Sequence, residues 1–368
     1  MMNSKDIFCI KESQIIGMLN RGEKNPRNSE GSFLVLADGR IAFAYSRYYG
    51  GSDNDHAACN ICVVYSYDSG QSFDVAHYET LVFASDYNEQ NVMSVTLRYM
   101  RNGDIGLFYL LKHAGVSSEY ILRRYKGDFS NCIGEVKCLP HAYTSYFVVN
   151  NDRILQASNG KWFIPAAMHH SSVNRTDGEY MDSRGIVYFF CSDDDGQTWK
   201  QQHETLRLAD TYSNTGLQEP GLVELPGGVL YCYSRTDRMY QYEAVSIDGG
   251  THWFGPQTSQ FTSPDSPMLI KQNPHSGLYY AVWNPTPKSP THPQNAASWG
   301  RTPLIMAQSF DGVHFSKPVF IETDPNKGYC YPAMEFLDKN TILLAYCSGG
   351  QDEGCCLDRT VIRRIVLD

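Results

Sequence analysis

The sequence predicts an all-β fold, a six-bladed β-propeller formed by a single domain over residues 1–368. Three observations predict it: the residue usage, a repeated turn-plus-strand unit and a second motif with a matching period. The chain contains 25 Tyr, 17 Phe, 30 Gly and 17 Pro, and only 19% of its residues are charged. This usage is typical of many short strands joined by tight turns.

The first repeat is a polar turn followed by a short apolar strand, and it recurs about every 60 residues, the length of a four-stranded blade with a generous loop. Strand-like segments also lie at both chain ends, at 6–16 and 360–367, and we expect them to pair and close the ring, which removes exposed edges. The six turns are 37–40, 101–104, 158–161, 225–228, 274–277 and, less clearly, 337–340.

The second motif, Ser-x-Asp-x-Gly-x-x-aromatic, interleaves with the first. Its copies are Ser66–Phe73, Ser192–Trp199, Ser246–Trp253 and a copy one residue shorter, Ser309–Phe315. In a hairpin turn the Asp and Ser side chains bond backbone groups, the Gly adopts a positive φ, and the aromatic ring packs against the sheet. We therefore interpret these Asp residues as structural rather than catalytic.

This octet is the Asp-box, and together with the sixfold period it makes the whole chain resemble the sialidase (neuraminidase) superfamily. The resemblance implies an exo-acting glycoside hydrolase that cleaves a terminal, acidic sugar, with an exo-α-sialidase as the first expectation. Two alternatives stay open: a hydrolase or lyase for a uronic or neutral glycoside, and a non-catalytic carbohydrate-binding propeller. The linkage and the stereochemical course also stay open.

A carbohydrate is the partner that the sequence predicts, and nothing in it requires a metal or an organic cofactor. The net charge of −9, without a basic cluster, argues against nucleic acid. No apolar run has the length of a signal peptide or a membrane span, so we expect no membrane association and a cytoplasmic location.

The eleven cysteines, mostly within apolar strand-like runs, are typical of free thiols in a reducing compartment. The oligomeric state is left open.

Sialidases hold the substrate carboxylate with three arginines from three blades, because the planar guanidinium matches a carboxylate in two bonds. Arg235 follows an inner strand as the second of these does, and Arg301 precedes the fourth Asp-box as the third does. Arg27 is the candidate for the first, although the Arg-Ile-Pro motif of the family is absent. If Arg27 does not reach the site, Glu30 occupies part of its space and would repel sialic acid, and Arg153 is the alternative third clamp residue.

The polar, glycine-rich loop at 46–56 follows the first two strands. The corresponding sialidase loop carries an Asp that acts as general acid and then as general base. Asp55 is the first candidate and Asp53 the second, and a turn stabilised by Asp side chains accounts equally well for either one singly. We expect Arg47 in this loop, and Gln241 in a later segment, to help shape the substrate-binding pocket.

The resemblance assigns the nucleophile to a tyrosine that a glutamate deprotonates. Glu219 lies at the start of an inner strand and is favoured over Glu224, which lies near the turn. The tyrosine is expected within 328–334, where position favours Tyr329 over Tyr331, and on an extended chain both would point the same way. A neutral phenol approaches an anomeric carbon that carries a carboxylate with less repulsion than an aspartate would.

Overall fold

The computed structural model describes residues 8–113, 117–139, 146–174, 178–288, 298–350 and 354–368. Within these ranges the protein is all-β apart from one short 3-10 helix, Ala84–Tyr87. No helix in the described part of the chain is long and apolar enough to cross a membrane.

The strands of these ranges are numbered in chain order. The first nine are β1 (Ile10–Leu19), β2 (Asn28–Val35), β3 (Ile41–Tyr48), β4 (Cys59–Ser66), β5 (Asp74–Val82), β6 (Asn91–Tyr99), β7 (Ile105–His113), β8 (Ser117–Tyr125) and β9 (Cys132–Lys137). The next seven are β10 (Tyr146–Val148), β11 (Leu155–Gln156), β12 (Trp162–His169), β13 (Ser171–Asn174), β14 (Gly178–Met181), β15 (Ile186–Ser192) and β16 (Lys200–Gln201). The last eleven are β17 (Gln218–Leu225), β18 (Val229–Arg235), β19 (Tyr240–Ser246), β20 (Phe254–Thr262), β21 (Leu269–Gln272), β22 (Tyr279–Trp283), β23 (Leu304–Ser309), β24 (Val319–Glu322), β25 (Lys327–Phe336), β26 (Thr341–Gly350) and β27 (Arg359–Leu367).

The sheets are mostly antiparallel meanders in which successive strands are neighbours. Strands β17 to β20 form one, β21 to β24 form another, and β10, β12, β15 and β16 form a third, with β11 also paired to β12. Strands β2 to β9 form an eight-stranded sheet of two meanders, β2 to β5 and β6 to β9, joined by one parallel bridge between Cys59 and Asn91. The arrangement is that of a β-propeller, which confirms the predicted all-β, propeller-like fold.

Both chain ends contribute to one sheet. The N-terminal strand β1 pairs antiparallel with the C-terminal strand β27, so that Ile10 lies opposite Leu367 and Leu19 opposite Thr360. Strands β26 and β25 complete this sheet. The outermost strand of this sheet, β1, therefore precedes all the other described strands in the chain, whereas the other three are the last three strands.

Apolar side chains fill the space between neighbouring sheets. One buried cluster joins the first two meanders, with Leu34 and Val63 from one and Leu107 and Ile121 from the other. Similar clusters lie between later pairs of sheets. Strands β2, β3, β7 and β26 are buried along nearly their whole length, because a neighbouring sheet covers each of their faces.

The Asp residues of the Ser-x-Asp-x-Gly motif bond to their own turns. The carboxylate of Asp68 accepts hydrogen bonds from the Ser66 hydroxyl at 2.8 Å and from the Ser72 amide at 2.9 Å. Desolvation opposes them, but the bonds from Ser72, Ser66 and Gln71 together outweigh it and lower the pKa of Asp68 to about 2. The carboxylates of the other three copies accept equivalent bonds. These groups stabilise turns at the outer parts of the sheets.

Non-glycine residues with a left-handed backbone recur at the beginning of the innermost strands. Such conformations are uncommon for residues with a side chain and tend to mark strained, functional positions. Four of the six coincide with bulges in β2, β6, β17 and β25, where the pairing register shifts and the alternation of side chains is interrupted. The six residues, with φ between 46° and 66°, are Glu30, Ser94, Asp152, Glu219, Asp265 and Tyr331.

Asp152 ties several innermost strands together. Its carboxylate, which is fully buried, accepts bonds from Ser32 on β2, Arg98 on β6 and Lys271 on β21. It also accepts a bond from the backbone amide of Met334 on β25 at 3.1 Å. A cavity of about 380 Å³ lies beside this cluster, between the later halves of the innermost strands. The candidate functional site lies at the opposite end of these strands, at their beginnings.

Candidate functional site

Glu219 and Tyr331 form the centre of the candidate site. The Tyr331 hydroxyl donates a hydrogen bond to Glu219 Oε1 at 2.8 Å, and Arg235 donates to Glu219 Oε2 at 2.9 Å. Arg235 also donates to Asp265 Oδ1 at 2.7 Å. Burial, followed by the negative charge of Glu219, raises the pKa of Tyr331 well above its ordinary value. The phenol is therefore neutral at ordinary pH, and Glu219 is the base positioned to take its proton.

The structure corrects the preference for Tyr329 as the partner of Glu219. Tyr329 is only 3% exposed and packs in an apolar cluster with Leu304 and Tyr346, with its ring centre 6.1 Å from that of Tyr346. The two tyrosines point in different directions because β25 has a bulge after Cys330 and Tyr331 has a φ of 52°. The rule that residues two apart share a face holds only for a regular strand.

Arg301 adjoins the same centre. It is 3% exposed, and its guanidinium carbon lies 5.6 Å from the Tyr331 ring centre and 5.0 Å from that of Trp299. One of its nitrogens lies 3.5 Å from the backbone oxygen of Asp265. Among the residues that the structure describes, none bonds to its buried Nε and Nη1 atoms. Arg235 and Arg301 are thus brought together, as the sequence predicted.

Arg27 is the centre of a second group of charges. Its guanidinium donates to Asp55 Oδ1 at 2.6 Å and to Glu30 Oε2 at 3.1 Å, and it stacks over the Tyr48 ring at 4.4 Å. The Asp55 side chain is 62% exposed, whereas those of Arg27 and Glu30 are 1% and 6% exposed. Asp53 contributes only its backbone oxygen, which accepts a bond from Arg27 at 3.1 Å. Asp55 rather than Asp53 therefore has its carboxylate in this group.

Asp55 and Glu30 have opposite pKa shifts. Although the Asp55 side chain is 62% exposed, the protein atoms around it partly desolvate the carboxylate and raise its pKa. The positive charges of Arg27 and Lys112 outweigh this effect and hold that pKa below its ordinary value. Burial raises the pKa of Glu30 to about 7, although Arg27 opposes the rise. Lys112 also donates a hydrogen bond to the backbone oxygen of Asp55 at 2.6 Å. Near neutral pH the group therefore holds an ionised Asp55 and a Glu30 that readily takes up a proton.

The two groups of charges are neighbours. The charge of Glu30 contributes to the raised pKa of Tyr331, which places the two side chains within electrostatic reach of each other. The buried Asn151 amide donates to the backbone oxygen of Gly31 at 2.8 Å and lies 3.5 Å from the backbone oxygen of Tyr331. Asn151 thereby holds the start of β2 beside the start of the regular part of β25. Both groups of charges therefore lie at one mouth of the propeller.

Two of the predicted arginines lie elsewhere. Arg153 is 2% exposed, donates to the backbone oxygen of Met268 and to the Tyr233 hydroxyl, and lines the cavity at the other end of the innermost strands. It therefore does not complete the clamp in place of Arg27. Arg47 stacks on Tyr78 of the outer strand β5, with 4.5 Å between guanidinium carbon and ring centre. Tyr48, the next residue on β3, stacks with Arg27. Because adjacent residues of a strand face opposite ways, Arg47 points away from the site.

Gln241 supports the site from behind. It is fully buried, and its amide donates to the Ser263 hydroxyl at 2.9 Å and to the Ser266 backbone oxygen at 2.6 Å. These bonds hold the segment that carries Asp265. Gln241 therefore positions a partner of Arg235 and does not itself line the substrate pocket.

The sequence did not single out Lys112, Tyr48 or Trp299. Lys112 lies near the end of β7, the second strand of its meander, which is where Arg235 lies on β18. This shared position is the sequence signal that could have identified Lys112 as a site residue. Asp265 belongs to the polar segment 263–267, which the sequence offers as one of several that could shape the pocket, but nothing there distinguishes this aspartate from those that stabilise turns.

One group of side chains has the composition of a metal site. Asp53, Cys355 and Asp358 place their ligand atoms within 4.8 Å of one another. The guanidinium of Arg21 lies 3.1 Å from the buried carboxylate of Asp358 and already supplies a positive charge there. The arrangement therefore supports no assignment of a metal.

The BNR repeat-like domain family matches the chain over residues 77–342. The chain belongs to this family. A search of curated proteins finds no match.

Solved structures share the fold at low sequence identity. A protein of unknown function from Dyadobacter fermentans matches with a TM-score of 0.69 and 17% identity, covering 99% of both chains. The Hadza microbial sialidase Hz136 matches with a TM-score of 0.69 and 13% identity, covering 91% of this chain and 65% of that one. The NanB sialidase from Streptococcus pneumoniae matches with a TM-score of 0.68 and 12% identity, covering 96% and 70%. These likenesses establish a sialidase-like fold.

Proposed function

We propose that the protein is a glycoside hydrolase that removes a terminal, acidic sugar, with Tyr331 as nucleophile and Glu219 as its base. The hydrogen bond of 2.8 Å from the Tyr331 hydroxyl to Glu219 carries this proposal. Arg235 and Arg301 adjoin the pair and supply positive charge for an anionic substrate. The sialidases among the proteins of similar fold support the choice of a glycoside as substrate.

In the first step the Tyr331 oxygen attacks the anomeric carbon while Glu219 takes the phenol proton. The bond from the anomeric carbon to the leaving oxygen breaks, and Asp55 gives that oxygen a proton. The product is a glycosyl–tyrosine intermediate. In the second step Asp55 takes a proton from water, the water oxygen replaces the Tyr331 oxygen at the sugar, and Glu219 returns its proton to the phenol.

Substrate binding would prepare Asp55 for its role as acid. In the free protein the charges of Arg27 and Lys112 keep Asp55 ionised. A substrate carboxylate bound to Arg27 would compete for that guanidinium and place a second negative charge beside Asp55. Both effects raise the pKa of Asp55 and favour the protonated form that the first step needs.

A second candidate, a hydrolase or lyase for a neutral or uronic glycoside, is favoured by the balance of charges. Arg27 is paired with Glu30 and Asp55. Arg235 is paired with two further carboxylates, those of Glu219 and Asp265. Such pairing leaves less positive potential for an anionic sugar than three unpaired arginines would.

We also propose that the ring has six blades and that Arg27, Arg235 and Tyr331 belong to three different ones. The six left-handed residues support this count, since each lies at or just before an innermost strand. The count requires the eight-stranded sheet to be divided into two blades, and the single bridge between its halves supports that division.

The test is turnover of a fluorogenic sialoside beside fluorogenic uronic and neutral glycosides. Tyr331→Phe and Glu219→Gln should lower turnover of whichever substrate is cleaved by about 10²- to 10⁴-fold, the usual range for proton-transfer groups. Tyr329→Phe, a hydroxyl deletion two residues away in the same strand, is the matched control and should keep most of the activity. The proposal fails if Tyr331→Phe cleaves as fast as the parent protein, or if no glycoside is cleaved.

A further inference from the structure

A cluster of buried thiols lies directly behind the candidate nucleophile. Cys330, Cys347 and Cys356 pack together with Leu357, and Tyr331 packs against this cluster. The sulfur atoms of Cys330 and Cys356 are 3.9 Å apart, which is van der Waals contact. Both residues are 0% exposed. Neither thiol has a role in the proposed hydrolysis.

The two thiols belong to separate segments of the chain. Cys330 directly precedes Tyr331 on β25 and lies opposite Cys347 on β26. Cys356 lies in the segment between β26 and β27, 26 residues further along the chain. A bond between Cys330 and Cys356 would therefore connect the strand that carries the nucleophile to a different segment at the same mouth.

The charge of Arg301 acts on this thiol pair. Burial raises the pKa of Cys330, but contacts with the Cys347 and Cys356 thiols and the charge of Arg301 outweigh it and lower that pKa well below its ordinary value. Burial raises the pKa of Cys356. The pair thus combines a thiol that loses its proton more readily with a neighbour that holds its proton more tightly. An attacking and a resolving cysteine differ in the same direction.

We propose that hydrogen peroxide converts Cys330 and Cys356 into a reversible disulfide that switches off the site formed by Arg301 and Tyr331. The switching rests on the function proposed above; the formation of the bond does not. The Cys330 thiolate attacks one peroxide oxygen, the O–O bond breaks, hydroxide leaves, and Cys330 becomes a sulfenic acid. The Cys356 sulfur then attacks the Cys330 sulfur, the S–O bond breaks, and the hydroxyl leaves with the Cys356 proton as water. The two thiols are oxidised and the peroxide is reduced to water.

Disulfide formation would disturb the site because the sulfurs must approach. A disulfide is about 2 Å long, so the sulfurs would move together by roughly 2 Å from their present contact. Tyr331 adjoins Cys330 in sequence, and the oxidised sulfur no longer offers Arg301 a thiolate. A displacement of about 1 Å of a catalytic group can cost on the order of 10² in rate.

Cys355 is the competing thiol. It is more exposed than Cys356 and lies next to it in the chain, but the sulfur in contact with that of Cys330, at 3.9 Å, is that of Cys356. The Cys355 sulfur lies instead 3.8 Å from the carboxylate of Asp358. We therefore assign the bond to Cys356.

The experiment treats the purified full chain with a small excess of hydrogen peroxide, alkylates the remaining free thiols after denaturation, and maps the proteolytic peptides by mass spectrometry. A peptide pair joined through Cys330 and Cys356 is expected, and dithiothreitol should separate it. Glycosidase activity should fall at least about tenfold with the same time course and return on reduction. Cys356→Ala should show neither the linked peptides nor a reversible loss, whereas the buried-thiol control Cys232→Ala should behave like the parent.

The proposal is overturned if both cysteines are still alkylated after peroxide has oxidised the exposed Cys132, or if the link joins Cys347 or Cys355 instead. Equal reversible inactivation of Cys356→Ala and the parent would also overturn it. The peptide map of the parent decides the bond even where Cys356→Ala does not fold. If the linked peptides form but no glycoside is ever cleaved, the proposed function fails and, with it, the switching, while the disulfide stands.

Discussion

Glu30 should make the stability of the protein depend on pH between about 4.5 and about 7. Its side chain is 6% exposed and faces Arg27, Asp55 and Lys112, with the Ser29 hydroxyl donating to it at 3.1 Å. Burial raises its pKa from 4.5 to about 7, despite the opposing charge of Arg27. Replacing it with Gln keeps its volume and removes its titration.

The size and the sign follow from this shift. At about 1.4 kcal/mol for each pKa unit, the rise corresponds to about 3 kcal/mol. Because the folded protein binds this proton more tightly than the unfolded chain, the stabilisation is complete below pH 4.5, the unfolded value, and is lost as the pH rises through about 7. Glu30 therefore lowers the free energy of unfolding by about 3 kcal/mol across this range, and Glu30→Gln should not show that loss.

The assay is urea denaturation of the parent and of Glu30→Gln at intervals between about pH 5 and about pH 8. The difference in unfolding free energy between them should shift in favour of Glu30→Gln by about 2 to 3 kcal/mol towards the higher pH. Glu12→Gln, at an exposed position on β1, is the control and should run parallel to the parent. Parallel curves for Glu30→Gln and the parent would refute the assignment of a raised pKa to Glu30.

Two further substitutions test the innermost strands. Asp152→Ala would leave Lys271 and Arg98 without their shared carboxylate and should lower the free energy of unfolding, measured in urea, by about 3 to 5 kcal/mol. Gly31→Ala would place a methyl group 2.3 Å from the Phe43 ring, and the forced shift should cost about 1 to 3 kcal/mol in the same assay.

Each has a matched control. Asp193→Ala removes a carboxylate that is 58% exposed and lies 3.4 Å from Lys161, and it should change the unfolding free energy by less than about 1 kcal/mol. Gly22→Ala adds a methyl group with nothing within 4 Å and should cost less than Gly31→Ala. If either core substitution is as mild as its control, the packing argument for that residue is wrong.

Much of the candidate site could be anticipated because its residues lie at the ends of inner strands. Glu219, Arg235 and Arg301 come together as expected, and Arg27 contacts Asp55 although the Arg-Ile-Pro motif is missing. Position along a repeat is local information, and a propeller brings corresponding strand ends to one mouth. These residues could therefore be chosen without knowledge of their contacts.

The choice between Tyr329 and Tyr331 could not be made in this way. A regular strand would direct both side chains to the same face. Pro332, which lies within the bulge that separates them, was the available signal, because proline inside a strand is typical of a bulge. The prediction that Arg153 could complete the clamp was wrong for a similar reason. Arg153 follows Asp152, whose backbone is left-handed, and its side chain lies towards the other end of the innermost strands.

The sequence by itself determined the all-β fold, because turn chemistry and strand periodicity are properties of neighbouring residues and repeat along the chain. Only the tertiary structure decided the left-handed conformations of residues such as Glu30, Glu219 and Tyr331, and the contact between Cys330 and Cys356. Strained backbone persists only where surrounding contacts over-determine it, and in this protein those contacts join strands far apart in sequence. The shifted pKa of Glu30 and the hydrogen bond from Tyr331 to Glu219 both follow from that packing.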